Sequence, residues 1–256
     1  MKKLLFIIFL IWFWPVITAS GQSVKSEWVL FSELSPTSRP GENKILPNSK
    51  DNFHIEYRNR IGKMVSANTA IGLIINYRHY NNSEPVIYTL ENSNSSYSYD
   101  YNVKNNLWGT GAFITRFAQL NNRIRIHASL YGLYELGNGN YNMTLKGYDC
   151  PSCFTDGFNF GGRTGDIENI TIKERNFFAG LDMGISYSIN SAISLLTGIN
   201  LVQFENYSIS DGNRISPTLN SSALYRQVDV QGNTFTTVFN RPIIHLGMMV
   251  VLNKKT

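Results

Sequence analysis

Segments that alternate between apolar and polar residues are joined in this chain by connections that are short and long in strict turn. Eight such segments occur, at 28–34, 53–63, 70–80, 107–117, 123–135, 176–187, 192–204 and 243–252. The short connections are 65–68, 119–122 and 188–191, and the long ones, rich in Asn, Ser, Gly and Tyr, are about 35–50, 81–104, 137–171 and 208–236. If consecutive strands are antiparallel neighbours, every long connection lies at one end of the sheet. Bacterial transmembrane barrels have this asymmetry, with short periplasmic turns and long extracellular loops.

The alternation places an apolar face about five residues deep on most segments. The last segment shows it with Ile244, Leu246, Met248, Val250 and Leu252. That depth suits strands of 9–11 residues that cross hydrocarbon at a tilt, where a sheet must close because lipid offers no hydrogen-bond partner. The pattern predicts an all-β chain, folded as an eight-stranded antiparallel transmembrane up-and-down β-barrel. A soluble barrel with inverted faces has the same period and is the alternative.

The composition excludes two other classes of protein. The 256 residues are 43% hydrophobic, 13% aromatic and 16% charged, whereas disordered chains have high charge and few aromatics. The formal net charge is +5, and basic residues are interspersed with acidic ones. A nucleic-acid-binding protein shows clustered Lys and Arg with a stronger bias, so no nucleic-acid partner is expected.

The first 21 residues have the three parts of a secretory signal peptide. Lys2 and Lys3 precede an apolar run at 4–17, and small residues follow at 18–21. The run is shorter than the ~20 residues of a membrane-spanning helix and contains Pro15. We expect cleavage after Gly21, with a signal peptide at 1–21 and a barrel domain at 22–256; an uncleaved anchor is the alternative.

Three stretches carry a family resemblance: IGKMVSANTAIG at 61–72, the Gly-rich GTGAFITRF at 109–117, and the Gly-spaced FAGLDMGISY at 178–187. They resemble a strand–turn–strand around a periplasmic turn and two strands of the small eight-stranded outer-membrane barrels of the OmpA/OmpX-like type. The resemblance covers roughly 24–252. It implies a monomeric barrel in the bacterial outer membrane, surrounded by lipid and lipopolysaccharide and inserted by the barrel-insertion machinery.

The same resemblance implies no shared catalytic residues and no cofactor. Members often end on an aromatic residue, whereas this chain ends with Val251-Leu252-Asn253-Lys254-Lys255-Thr256. The family's peptidoglycan-binding domain is not expected, because about four residues follow the last predicted strand. The molecule is expected to be non-catalytic.

The polar face of the predicted strands points into the barrel. An eight-stranded barrel has an interior just wide enough for side chains, and buried charges must pair. We therefore predict a polar network rather than a pore. Its predicted members are Glu56, Arg58, Arg60, Arg78, Arg123, Arg125, His127, Glu135 and Asp182.

Cys150 and Cys153 form the only cysteine pair and fall in the third long loop. In an oxidising exterior two cysteines most often form one disulfide, and free surface thiols are the alternative. A zinc site needs about four ligands, and no histidine lies nearby in the sequence. No metal site is predicted.

Aromatic residues near strand ends are expected to form girdles at the two membrane interfaces. The candidates are Trp28, Tyr57, Tyr77, Tyr80, Trp108, Phe117, Tyr134 and Tyr187.

The sequence predicts a structural or surface-interaction role, carried by the four long loops and an unidentified surface partner. Two alternatives stay open: a component of a secretion or assembly machine, and a lipid A-modifying enzyme that uses His54 or His245.

Overall fold

The computed structural model describes residues 27–37, 51–89, 96–149, 165–215, 229–239 and 243–252. The predicted signal peptide, Cys150 and Cys153 lie outside these residues. The strands are β1 (Trp28–Thr37), β2 (Asp51–Ser66), β3 (Thr69–Thr89), β4 (Ser96–Gln119), β5 (Ile124–Asp149), β6 (Gly165–Ser188), β7 (Ile193–Ile215), β8 (Asp229–Thr237) and β9 (Ile244–Leu252). Within the described residues, no helix is long and apolar enough to span a bilayer.

Consecutive strands pair antiparallel from β1 to β7, and β9 closes the ring by pairing with both β1 and β7. The predicted all-β, eight-stranded up-and-down barrel is confirmed, with one difference. The eighth position is shared by two strands, since β8 pairs with residues 202–210 of β7 and β9 pairs with residues 193–199.

The register of the ring fixes the tilt of its strands. We follow the paired residues around the ring from Tyr77 in both directions until they reach β6. In one direction the partners are Trp108, Leu136 and Arg175. In the other direction they are Tyr57, Leu34, Leu246, Thr197 and Ile185. The two end points, Arg175 and Ile185, lie ten residues apart on β6. A shear of ten over eight strands tilts the strands by about 40° and gives a backbone radius of about 8 Å. The interior is therefore narrow.

The short turns at one end are held by asparagine side chains. Asn121 Oδ1 accepts hydrogen bonds from the backbone N–H groups of Arg123 (2.9 Å) and Ile124 (2.8 Å). Asn190 Oδ1 does the same for Ala192 and Ile193, both at 2.8 Å. The two turns thus use the same device, in which a side-chain amide replaces a backbone acceptor.

The predicted long loops are wrong over much of their length. β3, β4, β5, β6 and β7 continue as paired strands into 81–104, 137–171 and 208–236, and β8 lies within the last of these ranges. We call the part of β3–β7 above Tyr77, Trp108, Tyr134, Phe177 and Phe204 the extracellular extension. It is about 30 Å tall on β6, since twelve residues separate Gly165 from Phe177.

Where the extension begins, the outer face of the strands becomes polar and the inner face becomes apolar. On β5 one set of alternate residues is outward throughout, and it changes from Leu130, Tyr134 and Leu136 to Asn138 and Asn140. Outward residues must match lipid below this level and water above it. The loss of the apolar outer face is why the sequence alone predicts loops there.

Candidate functional site

The outer wall carries a continuous belt of exposed apolar side chains. Ile61, Leu73, Ile185, Leu195 and Leu246 are all exposed and lie on five different strands. Water-soluble proteins rarely expose a contiguous patch of this extent, whereas a barrel spanning hydrocarbon requires one. The belt therefore places this closed sheet in a membrane.

Two sets of aromatic residues bound the belt. The upper aromatic ring comprises the exposed Tyr57, Trp108, Tyr134, Phe177, Phe204 and Phe235, and the lower set comprises Trp28 and Tyr187. Phe177 and Tyr187 are ten residues apart on β6, or about 25 Å at a tilt near 40°. Outer-membrane barrels have an apolar band of about that height, and the predicted outer-membrane address agrees with this geometry.

Two aromatic residues predicted for the girdles point into the barrel instead. Phe117 is buried and stacks against Phe31, with ring centroids 6.3 Å apart. Tyr80 donates a hydrogen bond to Glu174 Oε2 at 2.5 Å. Both residues occupy inward positions in the alternation of their strands. That direction, and not closeness to a predicted strand end, decides where their side chains lie.

An apolar layer fills the periplasmic end of the interior. Phe31, Phe113, Phe117, Leu196 and Met249 are all buried in this single cluster. The Phe31 and Phe113 rings meet edge to face, with centroids 5.6 Å apart. The guanidinium of Arg125 lies 5.3 Å from the Phe117 ring centroid at the lower edge of the layer. A solute entering from below would meet packed aromatic side chains.

Arg58 centres one of three ion clusters that lie above this layer. Its Nη2 donates to Glu56 Oε1 at 2.7 Å and its Nη1 donates to Asp182 Oδ2 at 3.0 Å. Its guanidinium also lies 4.6 Å from the centre of the Tyr131 ring, and Asn200 donates to Asp182 Oδ1 at 2.9 Å. All five side chains are buried. The charged groups of Arg58, Glu56 and Asp182 therefore contact one another, an amide and an aromatic ring in place of water.

Arg60 centres the second ion cluster. It forms an ion pair with Glu33, and its Nη1 donates to Ser129 Oγ at 2.9 Å. Its guanidinium lies between two aromatic rings, 4.8 Å from the centroid of Phe31 and 5.5 Å from that of Phe113. Arg60 joins the charged middle of the barrel to the apolar layer below.

Arg78 centres the third cluster, nearest the extension. Its Nη2 lies 2.5 Å from Glu135 Oε2 and 3.9 Å from Glu174 Oε1. Asn76 donates to Glu135 Oε1 at 2.6 Å, and Asn105 donates to Glu174 Oε2 at 2.6 Å. Both carboxylates are therefore hydrogen-bonded as well as paired, as buried charges require.

The structure buries seven of the nine residues predicted for the network and places the other two differently. Arg123 is exposed in the turn that precedes β5, where its Nη1 lies 3.2 Å from the Tyr187 hydroxyl. Arg125 is half-buried at the lower rim. His127 is buried, and its ring centroid lies 6.2 Å from that of Phe117. Sequence reasoning missed Glu33, on the short first strand, and Glu174, which fell in a predicted loop.

Ser35, His245 and Asp182 form a buried serine–histidine–carboxylate arrangement. Ser35 Oγ is hydrogen-bonded to His245 Nδ1, and His245 Nε2 lies 3.8 Å from Asp182 Oδ1. That second separation is too long for a hydrogen bond. The Asp182 carboxylate is instead occupied by Arg58 and Asn200.

A second apolar core fills the extension. Its members, contributed by β4, β5, β6 and β7, are buried: Tyr99, Tyr101, Val103, Tyr141, Met143, Leu145, Ile170, Ile172 and Ile209. The rings of Tyr101 and Tyr141 are packed with centroids 5.7 Å apart. On the opposite face, asparagines face water across neighbouring strands, and Asn102 Nδ2 donates to Asn81 Oδ1 at 3.1 Å. The extension is built like a soluble β-sheet, with its apolar face inward.

A metal centre finds no support in the part of the chain that the structure describes. No three His, Cys, Asp or Glu side chains there are grouped so that they could hold an ion.

No family model and no curated protein sequence matches this chain. Solved structures do. Neisserial surface protein A is 10% identical, with a TM-score of 0.33, and the match covers 88% of this chain and 95% of that one. A major outer membrane protein of Thermus thermophilus is 11% identical, with a TM-score of 0.43 and coverages of 88% and 99%. Ail, the attachment invasion locus protein of Yersinia pestis, is 10% identical, with a TM-score of 0.30 and coverages of 89% and 97%. The assignment of the architecture rests on the strand ladder and the apolar belt of this chain.

Proposed function

We propose that this outer-membrane β-barrel is a non-catalytic surface-contact protein that works through its extracellular extension. The observation that carries the proposal is the apolar core of the extension, to which β4, β5, β6 and β7 contribute buried side chains above the upper aromatic ring. Crossing the membrane needs only 9–11 residues per strand, whereas β5 has 26 residues and β4 and β6 have 24 each. The surplus supports a role outside the membrane.

The core gives the extension a fixed shape. Burying a large apolar side chain stabilises a fold by about 1.5–3 kcal/mol, and Tyr101, Tyr141, Ile170, Ile172 and Ile209 are all fully buried. Ordered strands present their outward side chains at fixed spacings, so binding a partner costs less conformational entropy than it would if mobile loops had to become ordered. Asn and Ser on such a surface give adaptable hydrogen bonding.

The interior supports a structural role rather than transport. Arg60, Phe31, Leu107 and Tyr101 are fully buried at successive levels of a barrel about 8 Å in backbone radius. The ion clusters between the two apolar layers hold the inner faces of opposite strands together. We assign the interior to stability.

The lipid-modifying alternative would use His54 or His245, which are both buried, and His245 has a serine and a carboxylate beside it. Triad catalysis needs a carboxylate that orients the histidine and a nucleophile that reaches substrate. Here Asp182 faces the histidine at 3.8 Å while bonded to Arg58, and Ser35 is buried. We therefore assign Ser35 and His245 to the polar packing of the interior.

We assign the proposed partners to different parts of the barrel and to different stages of its assembly. Outer-membrane lipid and lipopolysaccharide surround the belt, the insertion machinery acts during assembly after export by the predicted signal peptide, and a surface partner meets the extension. The barrel is proposed to work as a monomer.

Trimming the extension tests the proposal. Ser83, Asn102, Asn142 and Asn169 form one row of paired residues. Residues 84–101 and 143–168 are replaced by Asn-Gly turns, which suit two-residue hairpins. Because the ion clusters and the belt remain, we expect a barrel that still inserts and shows a heat-dependent gel shift.

Binding of the full and trimmed barrels is measured in nanodiscs against immobilised extracellular-matrix proteins and neutral and sulfated glycans. We expect the full barrel to bind at least one of these surfaces and the trimmed barrel to lose most of that signal. Equal binding by the two barrels, or no binding by the full barrel, contradicts the proposal.

A further inference from the structure

Three basic side chains lie on the outward face of the extension just above the upper aromatic ring. Lys104 is on β4, and Lys173 and Arg175 are on β6; all three are exposed. They belong to the same outward sets of alternate residues as Trp108 and Phe177. We call Lys104, Lys173 and Arg175 the basic cluster.

The basic cluster lies at the height of lipid headgroups. Lys104 is four residues above Trp108 on β4, and Lys173 is four residues above Phe177 on β6. With a rise of about 3.3 Å per residue and a tilt near 40°, both Cα atoms lie about 10 Å above the ring, and Arg175 lies about 5 Å above it. The polar headgroup region extends about 5–8 Å beyond the hydrocarbon, within reach of these flexible side chains.

The charge of the basic cluster is not balanced on the described outward face of β3–β6. The acidic side chain described there is Asp100, which is 3.3 Å from Lys146. Glu174, next in sequence to two members of the cluster, points inward and accepts hydrogen bonds from Tyr80 and Asn105. Three positive charges therefore face the same exterior region.

The surroundings of the cluster combine two kinds of contact. Asn138 and Asn140 are exposed on β5, between the strands that carry the basic residues, and their amides suit the hydroxyl groups of sugars. Directly below, Trp108 of the upper aromatic ring and its paired neighbour Leu136 are exposed and offer apolar surface to acyl chains. A ligand that satisfies all three features has phosphates, sugars and acyl chains.

We propose that the basic cluster is a binding site for the phosphate groups of the outer-leaflet glycolipid, whose sugars contact the asparagines and whose acyl chains lie on the belt. A lipid is favoured over a surface polysaccharide because the cluster lies near the ring and not at the top of the extension. The site is separate from the proposed surface contact, since trimming residues 84–101 and 143–168 leaves all three basic residues in place.

The test measures the lipid that the purified barrel retains. The protein in detergent micelles is mixed with diphosphorylated lipid A, passed through a size-exclusion column, and analysed for lipid by mass spectrometry. The variant carries Lys104→Gln, Lys173→Gln and Arg175→Gln. The matched control carries Lys63→Gln, an exposed outward lysine at the periplasmic end of the barrel.

We expect the triple variant to retain about tenfold less lipid A than the native barrel, because it loses three charge-assisted contacts with phosphate at once. Lys63→Gln and the trimmed barrel should retain as much lipid A as the native barrel. Dephosphorylated lipid A should bind the native barrel weakly, at the level of lipid A on the triple variant. Equal retention by the triple variant overturns the proposal. So does equal retention of dephosphorylated lipid A, or displacement of lipid A by a sulfated polysaccharide that binds the cluster more tightly.

Discussion

Replacement of Arg60 by methionine is expected to lower the free energy of unfolding by about 3–5 kcal/mol. Arg60 is fully buried and forms an ion pair with Glu33, which is buried as well. Removing the guanidinium leaves the Glu33 carboxylate without its cation in a site shielded from water, and breaking a buried pair in this way costs about that much. The contacts of the guanidinium with the Phe31 and Phe113 rings are lost at the same time.

Urea titration of the barrel in phospholipid vesicles measures this loss. Tryptophan fluorescence is the readout, because Trp28 and Trp108 are exposed at the lower and upper edges of the belt. The double variant Glu33→Gln/Arg60→Met removes both charges and should recover most of the stability. Arg123→Met, in an exposed turn, should change it by no more than about 0.5 kcal/mol. An Arg60→Met barrel that unfolds at the native urea concentration would contradict the role of the ion clusters.

Replacement of Leu73 by arginine should cost about 2–4 kcal/mol, the range for a charge on the lipid face near the bilayer midplane. The Leu73 side chain is 66% exposed and lies on β3 between the equally outward Ile71 and Ile75. In a water-soluble barrel, the same change at so exposed a position would stay within about 0.5 kcal/mol. The variant therefore distinguishes the two solvents.

The matched control for this prediction is Asn140→Arg, which puts the same charge on an outward residue of the extension. We expect it to insert and unfold like the native barrel, because its side chain faces water. Insertion into vesicles is followed by the fraction that resists SDS without boiling, and stability by urea titration. Equal losses for the two variants, or none for Leu73→Arg, would argue against a lipid-facing belt.

The transmembrane strands could be predicted because one physical constraint acts on all of them. Each strand must place apolar residues toward lipid at every second position, and Leu246, Met248 and Ile185 follow that rule in the sequence as in the fold. The short turns were equally visible, because polar residues interrupt the alternation there.

The extension could not be predicted with the same rule, because the rule reverses above the membrane. Asn138 and Asn140 occupy outward positions that apolar residues fill lower on β5, while Tyr141 and Met143 turn apolar on the inward side. A period of two continues, yet its apolar phase changes partway along the strand. A search for alternation with either phase would have extended β5.

Which charged side chains pair inside the barrel depends on the register of the strands, and the register could not be predicted from the sequence. Arg58 meets Asp182 and Arg78 meets Glu174 across strands far apart in the chain. Those pairings are consequences of the register of the closed ladder, which has a shear of ten. The exact end of a turn could not be predicted either. Arg123 continues the alternation of β5 in the sequence, but it lies in the turn, because β5 begins at Ile124.

The central claim is that this chain closes into a barrel within the outer membrane. The most direct measurement is gel mobility in SDS, with and without boiling, of protein extracted from the outer-membrane fraction. Because a closed ladder with a paired interior resists cold SDS, we predict a compact, faster band that shifts to the mobility of the unfolded chain on boiling. A protein recovered in the soluble fraction, with one mobility before and after boiling, would contradict the claim.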